Sequence, residues 1–311
     1  MPEDLPKFED VVAAADRLKG YAVRTPLLNY WDLDELLGCR IFIKPEVLQR
    51  TGSFKFRGAY NRLVQLNETE RRAGVVAFSS GNHAQGVAEA ARILGIEATI
   101  VMPSDAPASK IEGTRRRGGK TVLYDRATGD REAISRSLAA EKGAVLVPSY
   151  DDRHIIAGQG TAALELCQEL SELDAFLCPL GGGGLMAGSV LALRATFPTI
   201  EIIGVEPDAF DDHRRSLLAG ERVTHPPGAR SICDAIQTPI PGRLTFAINK
   251  PNLAAVVTVS DKEVEAAQAF ALQNLKLVVE PGGVVALAAL LTGKLATRGR
   301  RVGLILSGGN A

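Results

Sequence analysis

Between Val75 and Val147, four short apolar runs rich in β-branched residues alternate with three longer stretches of helical spacing, and few folds accept that pattern. The runs are Val75–Phe78, Ala98–Met102, Thr121–Tyr124 and Ala144–Val147. Strands separated by helix-length connections pair in parallel, because tight turns join only antiparallel neighbours. The same alternation continues outside this segment, with strands predicted at Arg40–Pro45, Ala175–Pro179, Glu201–Val205, Val256–Val259 and Val302–Leu306. Helices are predicted over His83–Leu94, Arg131–Lys142, Leu185–Phe197 and Asp261–Leu275. A chain of 311 residues lies where single cores begin to split. The reading is therefore an α/β protein of two doubly wound lobes with parallel sheets. Residues 51–148 form an inserted small domain, and 1–50 with 149–311 form the large one. A ligand belongs in the cleft between them, near the carboxyl ends of strands. Proline-rich patches at His225–Gly228 and Thr238–Gly242 mark loops in the large lobe.

Charge and cysteine usage narrow the partner. The 36 Lys and Arg balance 36 Asp and Glu, which leaves no basic footprint for nucleic acid or an anionic membrane. Cys39, Cys167, Cys178 and Cys233 are scattered without a C-x-x-C pair, so neither a zinc site nor a disulfide framework is indicated. The N-terminal MPEDLPKFED carries acids where a signal peptide needs a basic then apolar stretch, and no apolar run approaches membrane-spanning length. A cytoplasmic protein acting on a small molecule is expected.

Three segments carry chemistry. Phe176–Gly188, FLCPLGGGGLMAG, runs a strand into four glycines and a helix, presenting bare N–H groups at a helix N-terminus, an anion cradle suited to phosphate. It also reads as G-x-G-x-x-A from Gly182, with Glu206 about twenty residues on, so a nicotinamide-dependent oxidoreductase using Gly182, Gly184 and Glu206 is a rival. In Thr51–Asn61, TGSFKFRGAYN, Ser53 is positioned to cap a helix whose first turn holds Lys55 between Phe54 and Phe56. Desolvation and a helix N-terminus both favour a neutral amine there, competent to form a Schiff base. In Phe78–Ala88, FSSGNHAQGVA, Ser80, Gly81, Asn82 and His83 open another helix as a nest for a carboxylate.

S-F-K-F-R-G-A, S-S-G-N-H-A-Q-G, a G-G-G-G loop after a strand and a terminal S-G-G-N, in that order from Pro26 to Asn310, together resemble the fold type II pyridoxal-phosphate enzymes. Within them the chain is similar to the threonine/serine dehydratase and serine racemase branch. The resemblance implies that Lys55 is the Schiff-base lysine, that Phe54 packs against the ring of pyridoxal 5'-phosphate and that Asn82 bonds its 3-oxygen. It further implies that Gly181, Gly182, Gly183, Gly184 and Leu185 hold the phosphate, that Ser307 meets the pyridine nitrogen and that Glu280 lies near the cofactor. Gly282 and Gly283 depart from the pattern, where many relatives have serine, threonine or alanine. A serine opposite the pyridine nitrogen makes the ring a weak electron sink, which favours β-elimination over transamination.

The implied activity is dehydration of L-threonine, L-serine or a related β-hydroxy amino acid such as 3-hydroxyaspartate to a 2-oxo acid and ammonia. The substrate carboxylate would sit on Ser80, Gly81, Asn82 and His83, and Lys55 would move the Cα proton. Ser80, on the opposite face in racemase-like members, makes amino-acid racemisation the alternative. A non-catalytic binding protein of similar build would require Lys55 to form no covalent adduct. The acidic turn Glu206–Asp212 offers oxygen ligands for Mg²⁺ or Ca²⁺, with Glu206, Asp212 and the Phe210 carbonyl implied by the racemase-like relatives. His154, His213 and His225 show no joint spacing and are assigned no role. Trp31 is expected to pack. The resemblance suggests a homodimer. With the chain ending just after S-G-G-N, no appended regulatory domain and no feedback control by isoleucine are expected.

Overall fold

The computed structural model describes residues 5–79, 81–126, 128–226 and 228–310. The chain begins with α1 (Phe8–Leu18), α2 (Trp31–Leu37), β1 (Arg40–Pro45), α3 (Lys55–Leu63) and α4 (Glu68–Ala73). There follow β2 (Val75–Phe78), α5 (Asn82–Leu94), β3 (Ala98–Pro103), α6 (Ala108–Arg116), β4 (Lys120–Tyr124), α7 (Arg131–Lys142) and β5 (Val145–Leu146). After α8 (Arg153–Glu169) come β6 (Ala175–Pro179), α9 (Gly184–Thr196), β7 (Glu201–Pro207), α10 (Asp212–Ala219) and α11 (Arg243–Asn249). The chain closes with β8 (Ala255–Val259), α12 (Asp261–Phe270), α13 (Pro281–Leu291) and β9 (Arg301–Leu306).

All nine predicted strands are present, in two parallel sheets ordered β1-β9-β6-β7-β8 and β4-β3-β2-β5. Their near-continuous apolar runs follow from burial on both faces. In the five-stranded sheet β6 lies between β9 and β7, so the loop after Pro179 and the residue after Leu306 leave the sheet side by side. The helix predicted over Asp261–Leu275 stops as an α-helix at Phe270 and finishes in a π-turn, Ala271–Leu275, ended by Lys276 at φ 58°. Trp31 does not pack: it opens α2 and is 74% exposed.

The seat of α3 decides where Lys55 stands. Glycines let α3 touch α8 backbone to backbone, since a Cβ on Gly158 would come within 2.6 Å of the Gly58 Cα. Gly58 N–H also donates to Gln159 Oε1 at 3.1 Å. One residue earlier, the buried Arg57 guanidinium donates to Glu46 Oε2 at 2.7 Å and Glu165 Oε1 at 2.6 Å, while Lys44 Nζ lies 2.7 Å from Glu165 Oε2. Two cations and two anions thus pin α3 to β1 and α8. Removing one partner would leave an uncompensated buried charge at about 3–5 kcal/mol.

Candidate active site

The loop entering α3 is tied to the end of the chain. Ser53 bridges Gly308, Phe54 N–H donates to Ser307 O at 3.1 Å, and Asn310 Nδ2 donates to Thr51 O at 2.8 Å. Thr51 is held at φ 70°, a conformation costly for a β-branched residue that persists only where surroundings impose it. Ser53 does not cap α3; its hydroxyl is buried without a partner, and Phe54 takes the N-cap position without a side-chain bond.

Lys55 is half-buried, with Nζ donating to Ser149 O at 2.8 Å and standing 5.1 Å from the Phe54 ring centre. Burial lowers its pKa to about 8, against an upward pull from the Glu280 carboxylate. Phe54, Lys55, Asn82, the run Gly181–Leu185 and Ser307 line one cavity together with Ser149 and Tyr150. Asn82 is fixed from both sides: its Nδ2 donates to Glu280 Oε1, and its Oδ1 accepts from Asn310 Nδ2 at 2.8 Å. Burial raises the Glu280 carboxyl to about 7. Gly283 has its own explanation, because a Cβ there would meet the Gly308 carbonyl at 2.5 Å.

Each glycine of the loop answers a close neighbour. A Cβ on Gly182 would fall 2.3 Å from the Tyr150 ring, one on Gly181 2.9 Å from the Ile236 Cα, and one on Gly183 2.8 Å from His213 Nε2. Gly183 also needs its φ of 88°. Helix α11 buttresses the loop, with Thr245 Oγ1 donating to Gly182 O at 2.7 Å, and Asp151 caps α11 by accepting from Leu244 N–H at 2.7 Å. The cavity side is left to the free N–H groups that open α9, a cradle without side chains that fits a phosphate. Together with a depressed lysine in the same cavity, these donors fit a phosphorylated aldehyde cofactor.

A second cavity adjoins, lined by Lys55, Ser79, Gly81, Asn82, His83, Lys110, Arg131 and Asp234 among others. Asn82 and His83, whose N–H groups have no partner within α5, line this cavity, and the Gly81 N–H before them donates to Ser79 Oγ at 3.1 Å. The His83 ring is spent elsewhere, its Nε2 lying 3.0 Å from Val147 O, and burial lowers its pKa to about 3, so it stays neutral. Ser80 lies outside the described residues. Two cations missed in the sequence reading enter this wall. Lys110 Nζ pairs with Asp234 Oδ2 at 2.5 Å. Arg131, first residue of α7, lies 5.4 Å over the Phe78 ring and has no carboxylate partner among the described residues. A cation opening a helix opposes the helix dipole, so α7 itself gives no reason for it.

The acidic turn is also assembled. Glu206 accepts from His213 N–H at 2.9 Å and Arg214 N–H at 3.0 Å, capping α10, and is wholly buried. That placement removes it from any ribose and leaves the nicotinamide reading without its acidic residue. Glu206, Asp212 and His213 bring ligand atoms within 4.8 Å of one another. Burial and neighbouring acids raise the Glu206 carboxyl well above its usual range and Asp212 to about 8, while burial lowers His213 to about 3. This is a donor set suited to a divalent cation. His213, assigned nothing from spacing, joins it because α10 begins one residue before it.

A family profile described as "Pyridoxal-phosphate dependent enzyme" matches residues 18–308. The chain is 51% identical over 306 residues to an L-threo-3-hydroxyaspartate ammonia-lyase of a Pseudomonas species, covering 98% of this chain and 96% of that protein. It is 46% identical to the protein of the same name from Saccharomyces cerevisiae, covering 98% and 94%. The structure of maize serine racemase superposes with a TM-score of 0.95 at 36% identity, covering 99% of this chain and 94% of that one.

Proposed function

The chain belongs to the pyridoxal-phosphate-dependent enzymes, and from that premise we propose that it is an ammonia-lyase whose preferred substrate is a β-hydroxy amino acid with a second carboxylate, of the 3-hydroxyaspartate type. The observation that carries the preference is Arg131, a guanidinium without a carboxylate partner among the described residues, in the wall of the cavity that also holds Lys55. Serine and threonine have no use for that charge. A β-carboxylate gives it a bidentate partner. The two hydroxyaspartate ammonia-lyases among the similar proteins agree with this choice.

In this reading the residues divide the work. Gly181–Leu185 bind the cofactor phosphate, Phe54 packs on its ring, Asn82 bonds its 3-oxygen with Glu280 and Asn310 orienting the amide, and Ser307 meets its ring nitrogen. The cofactor, when bound, supplies the electron sink that makes a Cα proton removable. The N–H groups of Gly81, Asn82 and His83 hold the α-carboxylate, Arg131 holds the β-carboxylate, and Lys55 Nζ takes the Cα proton, helped by its lowered pKa. Loss of the β-hydroxyl as water then leaves an enamine, whose hydrolysis by a second water after release gives the 2-oxo acid and ammonia. The competing outcome is proton return to the other face, amino-acid racemisation, for which the similarity to serine racemase speaks and in which Ser80 would be the second proton carrier. A divalent cation at Glu206 and Asp212, with the Phe210 carbonyl, would brace the turn behind the glycine loop.

We further propose a cytoplasmic homodimer. No helix among the described residues is long and apolar enough to cross a membrane, and all four cysteines are buried and unpaired, as a reducing compartment permits. Trp31, Leu272 and Val278 are 74%, 56% and 60% exposed, apolar side chains available to a second copy. The deciding experiment is kcat/KM for keto-acid release from 3-hydroxyaspartate, L-serine and L-threonine, with D-enantiomers assayed alongside. Preference for the dicarboxylic substrate supports the reading. Equal turnover of serine and threonine overturns the substrate assignment, and formation of D-amino acid as main product overturns the reaction.

A further inference from the structure

We propose that His213 is a nitrogen ligand to a divalent cation held with the Glu206 and Asp212 carboxylates, so that this site takes Mn²⁺ or another first-row transition ion ahead of Mg²⁺ and Ca²⁺. Oxygen ligands alone suit Mg²⁺, Ca²⁺ and Mn²⁺ alike, and it is an imidazole in the shell that tips the choice to transition ions. The inference concerns the chain's own side chains and does not depend on which amino acid is the substrate.

His213 and Asp212 are both 0% exposed, and both ring nitrogens and both carboxylate oxygens lack a hydrogen bond of normal geometry. Buried polar atoms in that state call for an absent partner. His213 Nδ1 stands 3.8 Å from Glu206 Oε1 and 3.9 Å from Asp212 Oδ2, too far for direct hydrogen bonds. Two ligand atoms bonded at about 2.1 Å to one ion lie about 3.0–4.2 Å apart, so the same separations suit a shared ion. The Glu206 carboxylate is already aimed by the His213 and Arg214 N–H groups, leaving its remaining lone pairs for a cation. On its other side the ring abuts the glycine loop, where Nε2 would lie 2.8 Å from a Gly183 Cβ. A proton held on that edge leaves Nδ1 free to ligate, the usual arrangement for a metal-bound histidine.

The test uses cofactor-loaded, metal-stripped protein titrated with Mn²⁺ alone and followed by pulsed electron paramagnetic resonance. The expected result is one Mn²⁺ per chain with a nitrogen modulation from directly bonded imidazole. His213→Ala should lose that modulation and lower the preference for Mn²⁺ over Mg²⁺ by about tenfold or more, while Asp212→Asn should abolish binding. Tight Mn²⁺ binding without nitrogen modulation in the unaltered protein would overturn the assignment and leave an all-oxygen site. Absence of any bound Mn²⁺ would overturn it together with the cation site itself. Neither result bears on the substrate reading, because no amino acid is present.

Discussion

Two helix N-termini meet at Lys55, and they are built on opposite plans. The cradle opening α9 is selected by shape: four glycines packed against Tyr150, Ile236 and His213 leave Lys55 as the one charged side chain lining that cavity among the described residues. The nest opening α5 uses the same orphan N–H groups, but Lys110 and Arg131 stand in the wall around it. A phosphate with a fixed place needs only donors and room. A substrate that must be told from its neighbours needs a charge that rewards one and not the others. Under the proposed function, the first terminus therefore answers to the cofactor and the second to the substrate.

The comparison breaks completely if Lys55 is not the group the two termini share. Lys55→Ala should lower keto-acid release by about 1,000-fold or more and abolish the visible absorbance of the bound cofactor. Retained absorbance and turnover would remove the lysine from the site and collapse the assignment of both termini.

The next largest effect should separate the termini. Arg131→Gln should lower kcat/KM for 3-hydroxyaspartate by about 10- to 100-fold, the worth of a hydrogen-bonded charge pair, with serine turnover changed less than about threefold and cofactor affinity unchanged. Equal losses on both substrates would make Arg131 a structural residue of α7. Gly182→Ala should do the converse. With Tyr150 2.3 Å from the new Cβ, it should weaken cofactor binding about tenfold and cost about 1–3 kcal/mol of stability, with the ranking of substrates intact. A changed ranking would show that the cradle also reads substrate.

The contrast also explains what was legible in sequence. Both termini stood out because glycine, serine and asparagine clusters after a strand have a local meaning. The parallel sheets were legible for the same reason, since apolar runs and their spacing are local. What surrounds the termini was not. Helix α8 runs for 17 residues through Gly158 and Gly160, the places where α3 and α9 come within backbone contact. Asp151 caps α11 from about ninety residues away, and Arg131 enters the cavity only because α7 begins beside Phe78. Ser53 shows the reverse error, a good capping residue whose hydroxyl is diverted because the chain pairs with Gly308 instead. His213 had no other histidine at useful spacing, and it joins the acidic turn beside it because α10 starts at Asp212.

The smallest effect tests how the termini share Lys55, through the pH dependence of cofactor capture by the apoprotein. The attacking species is the neutral amine, so the rate follows its fraction. Burial favours the neutral form and lowers the pKa from 10.5 to about 8, while Glu280 pulls it back up. The neutral fraction then rises from about one tenth at pH 7 to about one half at pH 8, a fivefold gain, and levels off above about pH 9. An ordinary exposed lysine would instead gain about tenfold per unit with no plateau in that range. The sign of the Glu280 contribution gives a second check, because removing its charge with Glu280→Gln should move the midpoint to lower pH. A midpoint that stays in place, or moves up, would mean that the carboxylate does not reach Lys55 across Asn82, and that the amine owes its reactivity to the cavity wall alone.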